Sequence, residues 1–258
     1  MHTLASFLSK SLHTLIDILL PAYREVYNLC KILHRDISAR NILIDAEGRG
    51  ILNDWDLASK LKHGRHHERV GTWQFMSCLL VSKHHTIHTI QDDFESIFHV
   101  VLYHALRYLP HSGARENVLE LVRQIFDDQM LDNEGNRIGG YGKRNLFEND
   151  ASLGTFHSPP LQRLVSAMRG AFRQWIRFFD PPKADVTSVM HDLLAMAAEN
   201  PPTSTSLTRP ASTSGFVLDG FDSLDRMFYT VLTSTTMTWP QDEAPTDCFP
   251  RLRELENK

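Results

Sequence analysis

"ILHRDISARNILID", residues 32–45, decides how this chain is read. His34-Arg35-Asp36 is followed five residues after the Asp by Asn41, and leucine- and isoleucine-rich runs, "KILHRD" and "RNILID", flank the polar loop. "AEGRG" then reads as a tight turn and "ILNDWD" as a second short strand. The unit predicts a small β-hairpin carrying a loop at each end. Folding that hairpin brings Asp54, thirteen residues after Asn41, to the side of Asn41. A hydroxyl nucleophile needs a carboxylate base in reach, and phosphoryl transfer also needs oxygen ligands for magnesium. Asp36 has the chemistry of the base. The Asn41 amide oxygen and the Asp54 carboxylate have the chemistry of metal ligands. The plainer alternative makes Asp36 and Asn41 turn residues that cap backbone groups.

Outward from the loop, composition sets the bounds. The chain has 258 residues, 42% hydrophobic, with a formal net charge of −4. That is enough apolar content for a real core, and the mild acidity argues against a nucleic-acid partner. No run of about 18 apolar residues exists, so no membrane partner is expected. The N-terminus, "MHTLASFLSKSLHTLIDILLPAY", reads as an amphipathic helix rather than a signal peptide, because Asp17 interrupts a short apolar run. Cys30, Cys78 and Cys248 are far apart and odd in number, which fits reduced thiols in a cytoplasmic or nuclear compartment. The histidine clusters "HGRHH" and "KHHTIH" have no second ligand pair at zinc-finger spacing and read as polar loop histidines.

Apolar spacing over residues 4–30 predicts one or two helices broken near Pro21. Residues 57–75 read as an irregular surface loop. "QDDFESIFHVVLYHALRYL" (91–109) is the strongest helix, with acids in its first turn and a nearly continuous apolar stretch that predicts burial on most sides. Residues 114–127, 160–179 and "ADVTSVMHDLLAMAAEN" read as further helices. "PPTSTSLTRPASTSG" (201–215) reads as a flexible linker, and 216–258 as a tail without a clear period.

"HRDISARN" followed by "NDWD" resembles the catalytic and metal-binding loops of protein kinases. "GTWQFM" (71–76) resembles the end of the kinase activation segment, and "DDFESIFHVVLY" (92–103) the start of the central helix of the C-terminal lobe. The combination is most similar to the fungal-type protein kinase family, over about residues 30–110. The resemblance implies a mainly α chain with a small β-hairpin (α+β), a protein-kinase-like C-terminal lobe over 1–200. It implies ATP and Mg2+ as cofactors and a protein partner or substrate. Asp36 would be the catalytic base, with His34 and Arg35 supporting the loop. Asn41 and Asp54 would hold the magnesium and through it the nucleotide, and Asp93 would accept backbone hydrogen bonds from the catalytic loop.

The departures matter as much. Position 56 is Asp, not Gly, giving Asp54-Trp55-Asp56. In an extended segment residues two apart face one side, so Asp56 is a candidate third metal ligand. The same pattern is similar to aminoglycoside and choline kinase-like enzymes, which keeps a small-molecule kinase open. Arg40, four after Asp36, matches tyrosine kinases at one residue only. "SCLL" replaces Ala-Pro-Glu after Met76, with Leu79 in place of the Glu, although a hydrophobic replacement can still pack well. No glycine-rich phosphate loop and no strand lysine precede His34. The expectation is a C-terminal lobe lacking most or all of the N-terminal lobe. It would transfer phosphate from ATP to protein Ser/Thr hydroxyls weakly or not at all alone. The alternative from another class is a non-catalytic pseudokinase interaction module.

Overall fold

The computed structural model describes residues 2–3, 20, 23–45, 50–60, 69–82, 87–149, 153–179, 220, 222–224 and 226. The helix expected over 4–19, the turn at 46–49, the "HGRHH" cluster, the helix at 184–200, the 201–215 linker, Cys248 and most of the tail lie outside them. What is described is mainly helical with small antiparallel sheets.

The hairpin appears where the sequence places it. Strand β3 (Ile42–Ile44) pairs antiparallel with β4 (Gly50–Leu52), with Ile42 opposite Leu52, and β1 (His2–Thr3) adds to the other edge of β3. Ile42 and Leu52 are buried, so the hairpin turns one face to the core. β2 (Ile32–Leu33), just before the His-Arg-Asp loop, pairs not with β3 but with β5 (Ser59–Lys60). That corrects the reading of 57–75 as wholly irregular. The loop 34–41 is therefore pinned by two separate strand pairs. A helix over 23–30 (α1) precedes β2, as expected for the second half of residues 4–30.

Helix α3 (Ile90–Tyr108) is the axis of the molecule, and every residue in it is buried. Before it comes the short helix α2 (Cys78–Ser82), and after it α4 (Arg115–Val122), which runs into a π-helical turn at Arg123–Asp127. A second hairpin, β6 (Gln129–Leu131) with β7 (Arg137–Gly139), leads to α5 (Tyr141–Glu148), and α6 is Pro159–Phe179. In α6 the buried Leu161, Leu164, Val165, Met168, Phe172, Trp175 and Ile176 recur at helical spacing and make one stripe. Phe98, Phe147 and Phe172 meet with ring centroids 5.4–5.9 Å apart and so lock α3, α5 and α6 together. The C-terminal carbonyls of α5, which helix geometry leaves without intrahelical donors, are met by α6. Arg169 Nε donates to Leu146 O (2.7 Å) and Arg173 Nε to Phe147 O (2.6 Å). No described helix is long and apolar enough to cross a membrane.

Candidate active site

Three backbone distortions mark the site before any chemistry is invoked. Among the described non-glycine residues, Lys31, Arg35 and Asp54 have positive φ, at 52°, 69° and 61°. Left-handed backbone costs a side-chain-bearing residue energy and persists only where the surroundings over-determine it. Arg35 and Asp54 sit in the two loops that the sequence singles out. Gly71 (φ +115°) faces them: a Cβ there would lie 2.5 Å from the carbonyl oxygen of Arg35, so only glycine allows the 71–76 segment to come this close.

The geometry of the 34–41 loop is built from α3. Asp93, fully buried, accepts the backbone N–H of His34 (2.9 Å) and of Arg35 (3.2 Å), as the resemblance implies, together with the Tyr23 hydroxyl from α1. His88 Nε2 lies 2.8 Å from Asp93 Oδ1. Burial opposes ionisation of Asp93, but His88, Tyr23 and the His34 N–H outweigh it and hold the carboxyl below its usual range. Burial likewise opposes the charged form of His88, and the Asp93 carboxylate overturns that and raises its pKa. The sequence predicts a polar loop histidine at His88. It is buried and ion-paired. A lone histidine in the "KHHTIH" run carries no signal of which one finds a carboxylate.

His34 is buried, and burial is the main cause that lowers its pKa and favours the neutral ring. Its Nδ1 accepts the Asp36 N–H (3.3 Å), which leaves Nε2 to donate to Asn53 O (3.0 Å). The ring thus ties Asp36 to the residue before Asp54. The edge of Trp55 packs on it with centroids 4.6 Å apart. Arg35 reaches the Leu57 carbonyl through a guanidinium nitrogen at 3.4 Å.

Asp36 has both carboxylate oxygens positioned. Oδ1 accepts the Thr72 amide and the Thr72 hydroxyl, each at 2.7 Å. Oδ2 accepts the Asn41 amide nitrogen at 3.1 Å and keeps capacity for a further donor. The same Asn41 nitrogen donates to the Asp36 carbonyl (2.9 Å), which commits the NH2 group and leaves the amide oxygen as its acceptor end. Asn53 N–H donates to Asn41 O at 2.8 Å, continuing the β3–β4 register by one step. Asp54 follows at once, exposed, and close enough to act electrostatically on His34. Asp36 and Asn41 are thus in contact, and Asp54 is one residue past the cross-strand neighbour of Asn41.

The premise for Asp56 does not hold. The backbone turns left-handed at Asp54, and Ala58 N–H bonds Trp55 O (2.9 Å), so 54–58 is a turn rather than an extended strand. Among the described residues no three His, Cys, Asp or Glu side chains gather to hold a metal by themselves. An Asn41 amide oxygen plus an Asp54 carboxylate is a hard-oxygen pair. It fits magnesium, which takes one or two protein carboxylates and completes its shell from water and phosphate.

Residues 4–105 match the family model described as "Fungal protein kinase". The resemblance read from the motifs is supported there. No curated protein matches the chain. Among solved structures, the yeast RNA Pol II CTD kinase CTDK-1 complex contains a chain 16% identical with a TM-score of 0.36, covering 64% of this chain and 55% of that one. This chain therefore spans little more than half the length of that chain.

Proposed function

We propose that a chain whose residues 4–105 are of the fungal protein kinase type is built to move the γ-phosphoryl group of ATP to a protein Ser/Thr hydroxyl, in a kinase-like C-terminal lobe. The observation that carries this is the set of bonds that aims Asp36. With Oδ1 held twice by Thr72 and Oδ2 bound by Asn41, the carboxylate is locked in one orientation with a lone pair to spare. Asp36 takes the proton of the substrate hydroxyl as its oxygen bonds to the γ-phosphorus, and the bond to the bridging β–γ oxygen breaks to release ADP. His34 and Arg35 hold the loop through Asn53 and Asp93 rather than touching the reacting atoms. Magnesium, when bound at Asn41 and Asp54, neutralises charge on the phosphates.

No glycine stands among the 33 residues ahead of His34, so they hold no glycine-rich phosphate cradle, and metal ligands position only a nucleotide that is already held. The rate expected for this chain alone is accordingly low. Exposed Leu29 (76%), Ile51 (38%) and Leu57 (37%), on segments flanking the catalytic loop, support a second reading as a module that docks a partner protein. The reduced-cysteine pattern supports a cytoplasmic or nuclear setting for either.

The test is transfer from γ-labelled ATP with magnesium to a Ser/Thr/Tyr peptide library, comparing the chain with Asp36→Asn. Loss of a base contributes roughly 10²–10⁴-fold, so any transfer should fall by that factor in the variant. Transfer that survives Asp36→Asn unchanged removes the assignment. No transfer from either chain, with a partner retained, favours the docking module.

A further inference from the structure

The activation-segment end lacks the carboxylate that the kinase pattern places at position 79, yet residues 69–82 are closely held. Leu79 is buried, so that slot is filled by packing. Order comes from elsewhere. Ser77 Oγ donates to Asp92 Oδ1 (2.5 Å), and Cys78 N–H donates to Glu95 Oε1 (2.6 Å), both from the first turns of α3. From the opposite side Lys143, on α5 and buried, donates from Nζ to Met76 O (2.5 Å) and Trp73 O (3.1 Å). Those two carbonyls belong to a turn with no helix or strand of its own to satisfy them. The guanidinium groups of Arg69 and Arg137 lie 5.2 and 4.2 Å from the Trp73 ring centroid, and Trp73 Nε1 donates to Asp128 O (3.1 Å). The start of α5 is pressed against α2: a Cβ on Gly140 would lie 2.5 Å from Val81 Cγ2. Helix α5 can therefore enter only at glycine, and it then projects Lys143 beneath the segment.

We infer that Lys143, through its bonds to the Trp73 and Met76 carbonyls, is the positioning residue for the 72–78 segment, and through Thr72 for the Asp36 carboxylate. It braces from α5 a segment that has no acidic residue at 79 to brace it. A lysine suits this place because one ammonium spans two carbonyls three residues apart, which a neutral single donor cannot do. The catalytic consequence rests on the phosphotransfer reading; the bracing itself does not.

Hydrogen exchange of the 258-residue chain separates the two. Lys143→Met keeps the aliphatic stem and removes the donors. Exchange across 72–78 should rise about tenfold or more, while residues 161–176 of α6 keep their protection. Unchanged protection at 72–78, or an equal rise in α6, overturns the inference, because a lysine that only fills space loosens the molecule as a whole. If Lys143→Met does not fold, Lys143→Gln serves in its place. Its shorter side chain cannot reach both carbonyls, and it should open 72–78 selectively; no opening there overturns the inference. In the transfer assay the KM for the peptide library should rise more than kcat falls. Selective opening in a chain that shows no Asp36-dependent transfer supports the brace and defeats the phosphotransfer reading.

Discussion

The loop at 34–41 and the segment facing it hang from the same first turns of α3, yet they are held in opposite ways. Asp93 collects the Tyr23 hydroxyl, the His34 and Arg35 amides and His88, and these together keep it charged in a place where burial alone would neutralise it. Glu95, two residues on, accepts one backbone N–H from Cys78, and burial raises its pKa because too little opposes it. The pKa of Lys143 is lowered for the same reason, burial, with Glu95 pulling the other way. Desolvation is the same in kind at both sites. What differs is how many donors answer it. The loop carrying Asp36 is consequently fixed by a saturated ionic hub, and the 72–78 segment by a sparser pair.

The largest effect that would break this contrast is at the hub. Asp93→Ala leaves buried donors unanswered and should destabilise the chain by about 3–5 kcal/mol in urea unfolding. A loss no larger than that of Glu95→Ala would mean the hub is not the stronger support. Next comes the contact between the two regions. Gly71→Ala imposes left-handed backbone on alanine and a clash with the Arg35 carbonyl, and should cost roughly 2–3 kcal/mol. Thermal melting reads it, and a neutral result would mean that the regions do not touch there.

A smaller, pH-dependent effect sharpens the comparison. The pKa of His88 is raised above 6.5 by folding, so its pairing with Asp93 stabilises fully below that value and is lost as pH climbs through the raised one. The pKa of Asp93 is lowered, so its share is present above the ordinary carboxylate range and fades in acid. The gap in stability between the wild-type chain and His88→Gln should be about 1 kcal/mol near pH 6 and shrink toward pH 9. A gap that widens with pH would reverse the assignment. The smallest effect is expected at Asp56, exposed in its turn. Asp56→Asn should change stability by less than about 0.5 kcal/mol, and any transfer should persist. Loss of magnesium-dependent transfer in that variant would restore Asp56 as a ligand.

Long or repetitive signals in the sequence led to the right places. Helix α3 is apolar along nearly its whole length, and α6 repeats its large side chains at helical spacing, so both were legible. So was the β3–β4 hairpin, with a turn between two apolar runs. The β2–β5 pair was not, because two-residue strands have no period and are set by what lies around them. Nor was "QML" at β6, where all three residues are exposed and nothing alternates. At the site, the contact between Asp36 and Asn41 was legible from spacing. The Asp56 role rested on an extended backbone that the left-handed Asp54 removes. Lys143 could have drawn notice from the glycines of "GGYGK" just before it, which announce a close approach without saying to what.

The position of α3 has one more consequence, for synthesis. Residues 32–60 and 69–82 leave the ribosome before Asp92, Asp93 and Glu95 do. At about 5–20 residues per second, the nascent chain spends seconds with residues 34–41 already made and no scaffold to shape them. The order of translation thus postpones assembly of the site until the central helix emerges, and makes that helix the step on which the earlier part of the chain must wait.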